Sequence, residues 1–515
     1  MISSLIFFIS CLIIGTSSRS IASRAENDAD TVTSCLNENG VSQINPTSPD
    51  WAKLSSSYNL RLQYVPAVIT MPKSSTEVSA SIRCADKFRL KVQAKGGGHS
   101  YASFSSGGQD GSLIISMENF NEISLDPTTF IAKIGTGQRL GNIAQALFDQ
   151  GKRALPHGTC PSVGIAGHAL HGGYGLASRN WGLTIDHIVG MDVVLADGQE
   201  IYASGDLNTD IFYAMRGAGD SFGIATFLYF KTEAVPTGPI IHYTVDLGPS
   251  LDKTEIASAG FIQLQRATLE TGIITNQNTF NFFINSDGVF TLNGWCMECN
   301  PDEFRSKTLP SMLVGFNYAD IKVESEDWIQ AVANLAFPDT LAQPLGGVLT
   351  KKDNFYAKSL VVPESDPLSE IAIKSFFDYV KQNKGNLNWF SIISLYGGTG
   401  SAISNPPLEA TNSAYSDRNS LWNFQNYGFS PSPPFNEALI PLIQGMNDVV
   451  VRAQPATKFK GYLNYVDPQL SPAEAVIQYY DNSTYSRLLE IKKRVDPAFI
   501  FWNPQAIGLA PPFVP

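Results

Sequence analysis

Two glycine-rich segments about sixty residues apart constrain the fold of this chain more than any other feature. The first, Lys95-Gly96-Gly97-Gly98-His99-Ser100-Tyr101, directly follows a strand predicted over residues 90–94. Consecutive glycines let the backbone bend sharply and bring its amide groups close to an anion such as a pyrophosphate. The segment differs from the GxGxxG dinucleotide fingerprint, because no helix is predicted to begin there and no acidic residue follows at the required distance. Taken alone, it is better explained as an ordinary glycine turn with an incidental histidine.

The second glycine-rich segment surrounds a cysteine. It begins at Pro156-His157-Gly158-Thr159-Cys160, runs on to His168, and continues with Gly172-Gly173-Tyr174-Gly175. This density of glycine allows the backbone to lie directly against a flat ligand. One segment with a histidine and another with a cysteine therefore indicate a shared ligand site.

The number of cysteines gives a second indication that Cys160 has a special role. One of the six lies in a predicted signal peptide, so an odd number remains in a compartment expected to be oxidising. Cys35 and Cys84 could pair, and Cys296 with Cys299 forms a lone CxxC that is too little for a structural zinc site. In one extended strand the last two Cα atoms would lie ~10 Å apart and could not bridge, whereas a turn would allow the bond. Cys160 is left over; a buried inert thiol is the usual state of a lone cysteine, but the paired motifs favour a special role.

The N-terminus and the charge limit the partners of the protein. Residues 1–22 are predicted to be a signal peptide, because an apolar run from Leu5 to Ile14 is followed by small residues. That run is shorter than the ~20 apolar residues that span a bilayer, and no later segment reaches this length. The net charge of −11, without a basic tract, argues against nucleic acid. We predict a secreted protein with no membrane or nucleic-acid partner, and the acceptor Asn482-Ser483-Thr484 agrees with glycosylation in export.

The length of 515 residues predicts two large domains that share an interface. The first domain is predicted over residues 30–236, in which the chain from Val65 to about Ala234 alternates short β-rich runs with helical stretches. These include an amphipathic helix over 140–148 and a strand over 189–195. Pro236-Thr237-Gly238-Pro239 then interrupts the pattern.

A second region of different texture follows over residues 237–459. Alternating strands over 240–245, 278–284 and 289–295 predict an antiparallel sheet with helices on one face. Asn300, followed by a proline and acidic residues, predicts the start of a helix. Residues 460–515 are expected to return to the first domain, with a helix over 479–495 and an apolar run over 499–502.

Taken together, these motifs resemble those of a known family, the FAD-linked oxidases of the vanillyl-alcohol oxidase fold, in the berberine-bridge-enzyme-like branch. The resemblance covers nearly the whole chain after the signal peptide. It rests on Gly96 to Tyr101, Cys160 to His168, Gly172 to Gly175, Arg216-Gly217-Ala218-Gly219 with Phe222-Gly223-Ile224, Tyr462-Leu463-Asn464-Tyr465 and Asn503-Pro504-Gln505. It implies an α+β fold of two domains, an FAD-binding domain and a substrate domain built on an antiparallel sheet.

The resemblance implies that the cofactor is FAD, held by two covalent bonds. His99 would bond the methyl carbon on C8 of the flavin and Cys160 its ring carbon 6, while the glycine loop cradles the pyrophosphate. Two attachments would hold N5 in place within a site open to bulky substrates and make the flavin more oxidising. The predicted cofactor-binding residues are Gly96, Gly97, Gly98, His99, Ser100, Tyr101, Cys160, Val163, Gly164, Gly167, His168, Gly173, Tyr174, Ile224 and Asn503. No metal site is predicted.

The expected reaction is hydride transfer from substrate to N5 of the flavin while a base takes a proton. Tyr465 matches the tyrosine that the family uses as this base. A phenol with an ordinary pKa near 10 is a weak base at neutral pH, so its proton must be made easier to remove. Val163 stands three residues after the cysteine, where the family's small residue leaves space for dioxygen. The resemblance therefore implies an oxidase that gives hydrogen peroxide, although a valine in this place is also an ordinary core residue.

The predicted substrate pocket departs from the sugar-oxidising members of the family, the fungal-type oligosaccharide oxidases. When the chain is aligned on Gly397-Gly398, the aspartate that assists their base falls on Ser394. A polar strand residue falls on Phe283 and a glutamine on Ile392, whereas Gln425 is kept. Sugars need many hydrogen-bond partners, because a buried hydroxyl without one costs ~1–3 kcal/mol. We therefore predict a largely apolar secondary metabolite, such as an alcohol or polyketide intermediate, as the substrate.

Two alternatives remain open. An oligosaccharide oxidase acting at the anomeric carbon follows if the alignment slips by one or two residues in this loop-rich region. A non-catalytic flavin carrier follows if the change to Ser394 has abolished the base chemistry. Retention of Tyr465, Val163 and both attachment residues favours an enzyme that uses a small-molecule substrate and dioxygen.

Overall fold

The computed structural model describes residues 32–270, 272–346 and 351–511. The predicted signal peptide, residues 1–22, lies outside the described residues. Among the helices of the described part of the chain, none has the length and apolar composition that crossing a membrane requires.

Residues 32–234 form two main sheets with helices packed on them. The strands are β1 (Gln43–Ile44), β2 (Val68–Thr70), β3 (Val92–Lys95), β4 (Leu113–Ser116), β5 (Ile123–Leu125), β6 (Ile131–Gly135), β7 (Arg153–Ala154), β8 (Ile188–Val194), β9 (Glu200–Ser204), β10 (Ile224–Lys231) and β11 (Glu233–Ala234). The order β1-β2-β4-β3 makes a four-stranded sheet in which β2, β3 and β4 are parallel. The order β5-β6-β10-β8-β9 makes an antiparallel sheet, and β7 pairs with β11. The strands predicted over 90–94 and 189–195 are confirmed as β3 and β8.

The helices of this region pack on both sheets. Residues 32–38 are helical. The other helices are α1 (Trp51–Ser55), α2 (Ser75–Lys87), α3 (Leu140–Gly151), α4 (Ile165–Leu170), α5 (Ser178–Trp181) and α6 (Thr209–Ala218). Helix α3 confirms the amphipathic helix predicted over 140–148, because Leu140, Ile143 and Leu147 are buried in the core of the five-stranded sheet.

Residues 240–429 contain one seven-stranded sheet. Its strands are β12 (Ile240–Asp246), β13 (Asn278–Asn285), β14 (Phe290–Met297), β15 (Asp320–Glu326), β16 (Phe355–Pro363), β17 (Asn388–Leu395) and β18 (Ser420–Phe429). They lie in the order β15-β12-β14-β13-β17-β18-β16, and each neighbouring pair is antiparallel. The boundary predicted after residue 236 falls in the connection between β11 and β12. Side chains alternate between the faces, so that Phe282 and Ile284 of β13 are buried while Asn281 and Phe283 are half-buried on the other side.

Helices cover one face of this sheet, as predicted. The helices are α7 (Gly248–Leu251), α8 (Thr254–Glu270), α9 (Pro301–Glu303), α10 (Leu309–Met312), α11 (Trp328–Ala336), α12 (Glu370–Gln382), α13 (Leu408–Thr411) and α14 (Leu439–Ala453). Residues of α8, α12 and α14 complete a large apolar core with the sheet. Helix α11 packs in a separate apolar cluster, in which its Trp328 meets Trp295 of β14 edge to face at 5.8 Å between centroids. The Asn300 side chain accepts hydrogen bonds from the N–H groups of Asp302 and Glu303, which confirms the predicted helix start.

The C-terminal segment returns to the first region. Its helices are α15 (Pro472–Tyr479) and α16 (Asn482–Val495). The helix predicted over 479–495 is confirmed over 482–495 as α16, but it begins three residues later than predicted because the chain is extended at Tyr480. This conformation buries the Tyr480 ring and lets its hydroxyl donate to the Gly217 carbonyl at 3.1 Å. Beyond α16, Ile500 and Phe501 join the core of the four-stranded sheet, and the Val92 N–H donates to the Ile500 carbonyl at 2.8 Å.

The cysteines have three different environments. Cys35 and Cys84 form a disulfide with a Cα separation of 5.9 Å, as the predicted pairing allowed. Cys296 and Cys299 also form one, with a Cα separation of 5.6 Å. The second bond is possible because β14 ends at Met297 and the chain turns there, which is the turn that the sequence left open. Cys160 is free and exposed.

Candidate active site

A cavity of about 440 Å³ is lined by both glycine-rich segments, by the C-terminal segment and by one residue of the seven-stranded sheet. Most of the predicted site residues line it: Gly96, Gly97, Gly98, His99, Ser100, Tyr101, Cys160, Val163, Gly164, Gly167, His168, Tyr174, Ile224, Gln425, Tyr465 and Asn503. Gly173, Phe283, Ile392 and Ser394 lie outside its wall. The cofactor and base residues of the sequence prediction are therefore brought together, whereas most of the substrate residues are not.

The two predicted attachment residues meet at a third side chain, Ser162. The Ser162 hydroxyl lies 3.0 Å from Nε2 of His99 and 3.3 Å from Sγ of Cys160. The His99 ring stacks on Tyr58 at 4.4 Å between centroids. Burial, together with the positive charge of Arg139, lowers the pKa of His99 to about 3. The imidazole is therefore neutral at physiological pH, with a lone pair available on one ring nitrogen.

Backbone contacts hold the two glycine-rich segments against each other. A Cβ on Gly97 would lie 2.2 Å from the Gly164 nitrogen, so only glycine allows the two backbones to approach this closely. Nη1 of the buried Arg139 donates to the carbonyls of Gly97 and, at 2.6 Å, of Ser162. The carbonyl of Gly346 accepts from Nη2 at 2.6 Å. One guanidinium thus joins the His99 segment to the Cys160 segment.

Other predicted cofactor residues support the loop around Cys160. Nε2 of His168 accepts a hydrogen bond from the Gly158 N–H at 3.1 Å, and burial lowers the pKa of His168 to about 3. Gly173 has a φ of +86°, and a Cβ there would lie 2.4 Å from Oγ1 of Thr184. Its N–H and that of Tyr174 both donate to the Tyr462 hydroxyl, at 3.0 and 3.1 Å. Gly173 therefore shapes the turn behind the cavity wall.

The wall of the cavity fits a flavin dinucleotide. A Cβ added to Gly167 would meet no atom within 4 Å, so the backbone there borders open space. Ser105 lines the cavity, and its buried hydroxyl has no hydrogen-bond partner in the described part of the chain. A phosphate oxygen would satisfy this hydroxyl, which otherwise carries a desolvation cost. His99 and Cys160 reach the same cavity, so nucleophiles for two attachments are present beside a polar, glycine-lined wall.

Tyr465 ends the 3₁₀ turn Leu463–Tyr465 on the cavity wall. Its ring stacks on Tyr101 at 5.4 Å and meets Tyr462 edge to face at 5.0 Å. Burial, reinforced by the neighbouring tyrosines, holds the pKa of Tyr465 well above its usual 10. Nε2 of Gln425 donates to the Tyr101 hydroxyl at 2.5 Å, which ties this aromatic pair to β18. The protein groups around Tyr465 therefore favour the neutral phenol.

Three predicted substrate residues are direct cross-strand neighbours on one face of the seven-stranded sheet. We call Phe283, Ile392 and Gln425 the Phe283 row, in which β13 pairs with β17 and β17 with β18. Neighbouring strands lie ~4.8 Å apart, so Phe283 is roughly 10 Å from Gln425. Phe283 stacks with Phe390 at 5.9 Å between centroids. Gln425 reaches the cavity wall, and the rest of the row extends the same face away from it.

A polar row runs beside the Phe283 row. Asn281, Ser394 and Asn423, called the Asn281 row, are also cross-strand neighbours and stand two residues along each strand, on the same face. Asn423 is 3% exposed, and its Oδ1 has no hydrogen-bond partner among the described residues. The sheet face beside the cavity thus combines an apolar surface with hydrogen-bonding groups.

Three residues of the site were not predicted. Ser162 lies inside the Cys160 motif, and its hydroxyl two residues after the cysteine was the available signal. Arg139 immediately precedes α3, where a buried guanidinium is not expected from a local pattern. Tyr58 belongs to no motif, and only tertiary packing places its ring on His99.

Two known protein families match separate parts of the chain. The FAD binding domain family matches residues 66–204, and the family described as berberine and berberine like matches residues 461–508. The first match contains both glycine-rich segments, and the second contains Tyr465 and Asn503.

Related proteins cover nearly the whole chain. A chitooligosaccharide oxidase from Gibberella zeae is 33% identical over 97% of this chain and 98% of its own length. A xylooligosaccharide oxidase from Thermothelomyces thermophilus is 33% identical over 92% of this chain and 93% of its own length. The FAD-linked oxidoreductase dpmaF from Metarhizium anisopliae is 33% identical over 93% and 91%, respectively.

Solved structures agree with these relatives. A xylooligosaccharide oxidase from Myceliophthora thermophila in complex with xylobiose superposes with a TM-score of 0.86 and 32% identity, covering 93% of this chain and 100% of that one. The glucooligosaccharide oxidase from Acremonium strictum, described with a 6-S-cysteinyl, 8α-N1-histidyl FAD, superposes with a TM-score of 0.85 and 30% identity, covering 93% and 99%.

Proposed function

The chain belongs to the berberine-bridge-enzyme-like family of FAD-linked oxidases, and from this membership we propose a secreted oxidase that carries FAD on His99 and Cys160 and oxidises an oligosaccharide. The observation that carries the double attachment is the convergence of both side chains on the Ser162 hydroxyl at the cavity wall. Secretion is supported by the predicted signal peptide and by the two disulfides, which persist in oxidising compartments.

Different groups in the cavity have different roles in the proposed reaction. FAD held by His99 and Cys160 would supply a hydride acceptor that dioxygen can reoxidise to give hydrogen peroxide. Tyr465 takes the proton from the substrate hydroxyl once its own phenol proton has been lost, a step that the protein groups around it oppose. Because burial raises the pKa of Tyr465, the rate of substrate oxidation should rise with pH as the phenol ionises. Val163 lines the cavity three residues after Cys160, and the family resemblance supports a role for its small side chain in leaving room for dioxygen.

The proposal of a sugar substrate rests on the relatives and on the Asn281 row. Several relatives of full length are named as oligosaccharide oxidases. In this chain the unpartnered Oδ1 of Asn423 lies in a row with Asn281 and Ser394, and this row offers hydrogen-bonding groups of the kind that sugar hydroxyls need. The Phe283 row beside it offers an apolar surface for the faces of sugar rings.

Peroxide release from a panel of cello-, xylo- and chito-oligosaccharides tests the substrate class. The proposal expects turnover of at least one series, with bleaching of the flavin when the same sugar is added without oxygen. Absence of peroxide with every series would overturn it. A protein that binds flavin without catalysing oxidation would stay yellow in the anaerobic experiment.

A second candidate substrate is a largely apolar secondary metabolite. The stacked Phe283 and Phe390, with Ile392 directly opposite Gln425, favour it because they give an apolar surface beside the cavity. An aryl alcohol panel in the same peroxide assay separates the two candidates. Robust turnover of any oligosaccharide would eliminate the apolar metabolite as the main substrate.

A further inference from the structure

We propose that Ser162 is a positioning residue for covalent flavin attachment, which its hydroxyl assists by orienting His99 and Cys160 together. The inference rests on the proposed double attachment and names the side chain that prepares it. Ser162 is the described side chain that contacts both nucleophiles, at 3.0 Å from Nε2 of His99 and 3.3 Å from Sγ of Cys160.

The contacts of Ser162 determine which nitrogen of His99 is available. A neutral imidazole carries one proton, and the nitrogen without it is the nucleophile. With Nε2 donating its proton to the Ser162 oxygen, Nδ1 keeps its lone pair, and no described residue forms a hydrogen bond with Nδ1. The Ser162 hydroxyl proton is then free to point at Sγ of Cys160. The arrangement therefore directs Nδ1 to the flavin.

The attachment at His99 balances as an oxidation. A C–N bond forms between Nδ1 and the methyl carbon on C8, and one C–H bond of that methyl group breaks. The reaction releases the N–H proton of the imidazole, one methyl proton and two electrons. Dioxygen takes up the two protons and the two electrons and becomes hydrogen peroxide. Ser162 neither gains nor loses atoms in this reaction. Its hydroxyl oxygen only accepts the hydrogen bond from Nε2, which keeps the proton on that nitrogen before the C–N bond forms.

The position of Ser162 is itself rigid. Its carbonyl accepts a hydrogen bond from Arg139 at 2.6 Å, and the same Nη1 donates to the carbonyl of Gly97, two residues before His99. The Gly97 and Gly164 backbones are in direct contact on the other side. The stack of His99 on Tyr58 limits rotation of the imidazole. Replacing the hydroxyl therefore removes only its two contacts, with His99 and with Cys160, from a framework that stays in place.

Two substitutions and one control separate this role from general stability. Ser162→Ala removes the hydroxyl and Ser162→Thr keeps it, while Ser81→Ala removes a hydroxyl that donates to the Glu77 carbonyl within α2. Each holoenzyme is purified, incubated in air and digested at intervals. Mass spectrometry then gives the shares of flavin joined to His99, to Cys160 and to both. A thermal melt of each variant checks the fold.

The expected result is slower attachment at His99 in the alanine variant alone. Loss of one hydrogen bond that orients the nucleophile should slow the appearance of the doubly linked peptide pair about tenfold in Ser162→Ala. The Ser162→Thr and Ser81→Ala proteins should match the wild type. An alanine variant that is doubly linked at the wild-type rate, or a threonine variant as slow as alanine, would overturn the role of Ser162. If Ser162→Ala is not recovered folded, Ser162→Gly takes its place.

The same digests distinguish a failure of the proposed double attachment from a failure of the positioning role of Ser162. Wild-type protein with no flavin on His99 or Cys160 contradicts the proposed double attachment itself. Wild-type protein with both bonds and an unaffected Ser162→Ala contradicts only the positioning role.

Discussion

A buried ion pair should hold the C-terminal segment against the cofactor cavity. Nζ of Lys492 donates to the Asp496 carboxylate at 2.6 Å, and both side chains are almost fully buried, with 1% and 0% exposed. The same nitrogen donates to the carbonyls of Ser221 at 2.6 Å and Phe501 at 3.0 Å. Ser221 lines the cavity, so this one ammonium joins α16 and the chain after it to the cofactor wall.

Lys492→Met should be strongly destabilising. Methionine has a similar length but no charge, so Asp496 would stay buried without its cation, a change that typically costs about 3–5 kcal/mol of unfolding free energy. The carbonyls of Ser221 and Phe501 would also lose a donor, at roughly 1 kcal/mol each. We therefore expect a loss near the upper end, about 5 kcal/mol. Lys493→Met is the matched control, because Lys493 is exposed one position further along α16 and should change stability by less than about 0.5 kcal/mol.

Urea unfolding followed by flavin fluorescence measures the difference in stability between the two variants at the cofactor cavity. A chain with two large regions need not unfold in one step, so the comparison uses the transition in which flavin becomes exposed. Lys492→Met should move that transition to clearly lower urea, while Lys493→Met should leave it in place. Equal midpoints for the two variants would refute the reasoning that the Lys492 ammonium fastens the C-terminal segment.

Other parts of the molecule give three further predictions. Tyr465→Phe should keep the flavin and slow its anaerobic reduction by substrate about 10²–10⁴-fold in stopped-flow absorbance; near-wild-type reduction would remove Tyr465 as the base. Burial lowers the pKa of Lys95 to about 8, below its value near 10.4 in the unfolded chain, so the unfolded state binds more protons between these values. The unfolding free energy of the wild type relative to Lys95→Met should therefore rise from pH 8 to pH 10 in urea titrations, and a flat difference would contradict the shift. Replacing Cys35 and Cys84 together by serine should cost about 4 kcal/mol for a loop closed over 49 residues, measured as a shift in the thermal midpoint under reducing and non-reducing conditions.

The parts of the fold that the sequence predicts well are those determined by neighbouring residues. Strand β3 and the turn after it follow from an alternating pattern of apolar and polar residues and from three glycines, and the start of α9 follows from Asn300 and the proline after it. Lys492 shows the limit of such patterns. It stands in a basic run at the end of a helix, which is typical of a solvated helix end, and only the approach of Ser221 and Phe501 from elsewhere in the chain makes it a buried anchor.

Tertiary packing also overrides local helical preference at Tyr480. The residues from 479 to 495 read as one helix, but burying the Tyr480 ring requires an extended residue between α15 and α16. The partner of its hydroxyl is the carbonyl of Gly217, more than 260 residues earlier in the chain. No window of neighbouring residues contains that contact, so a local pattern predicts the helix and misses its break.

The substrate side of the site is difficult to predict for a related reason, which is strand register. Ser394 faces Asn281 and Asn423, residues brought beside it by two separate strand pairings. A slip of one residue in either pairing would turn the row to the opposite face, so the side chains that border the cavity depend on contacts distant in sequence. Ser394 lies outside the cavity wall, whereas Tyr465 contacts Tyr101, which is bonded to Gln425 of β18. Tyr465, the proposed base, is therefore connected to the seven-stranded sheet through Tyr101 and Gln425, and both of these residues line the cavity with it.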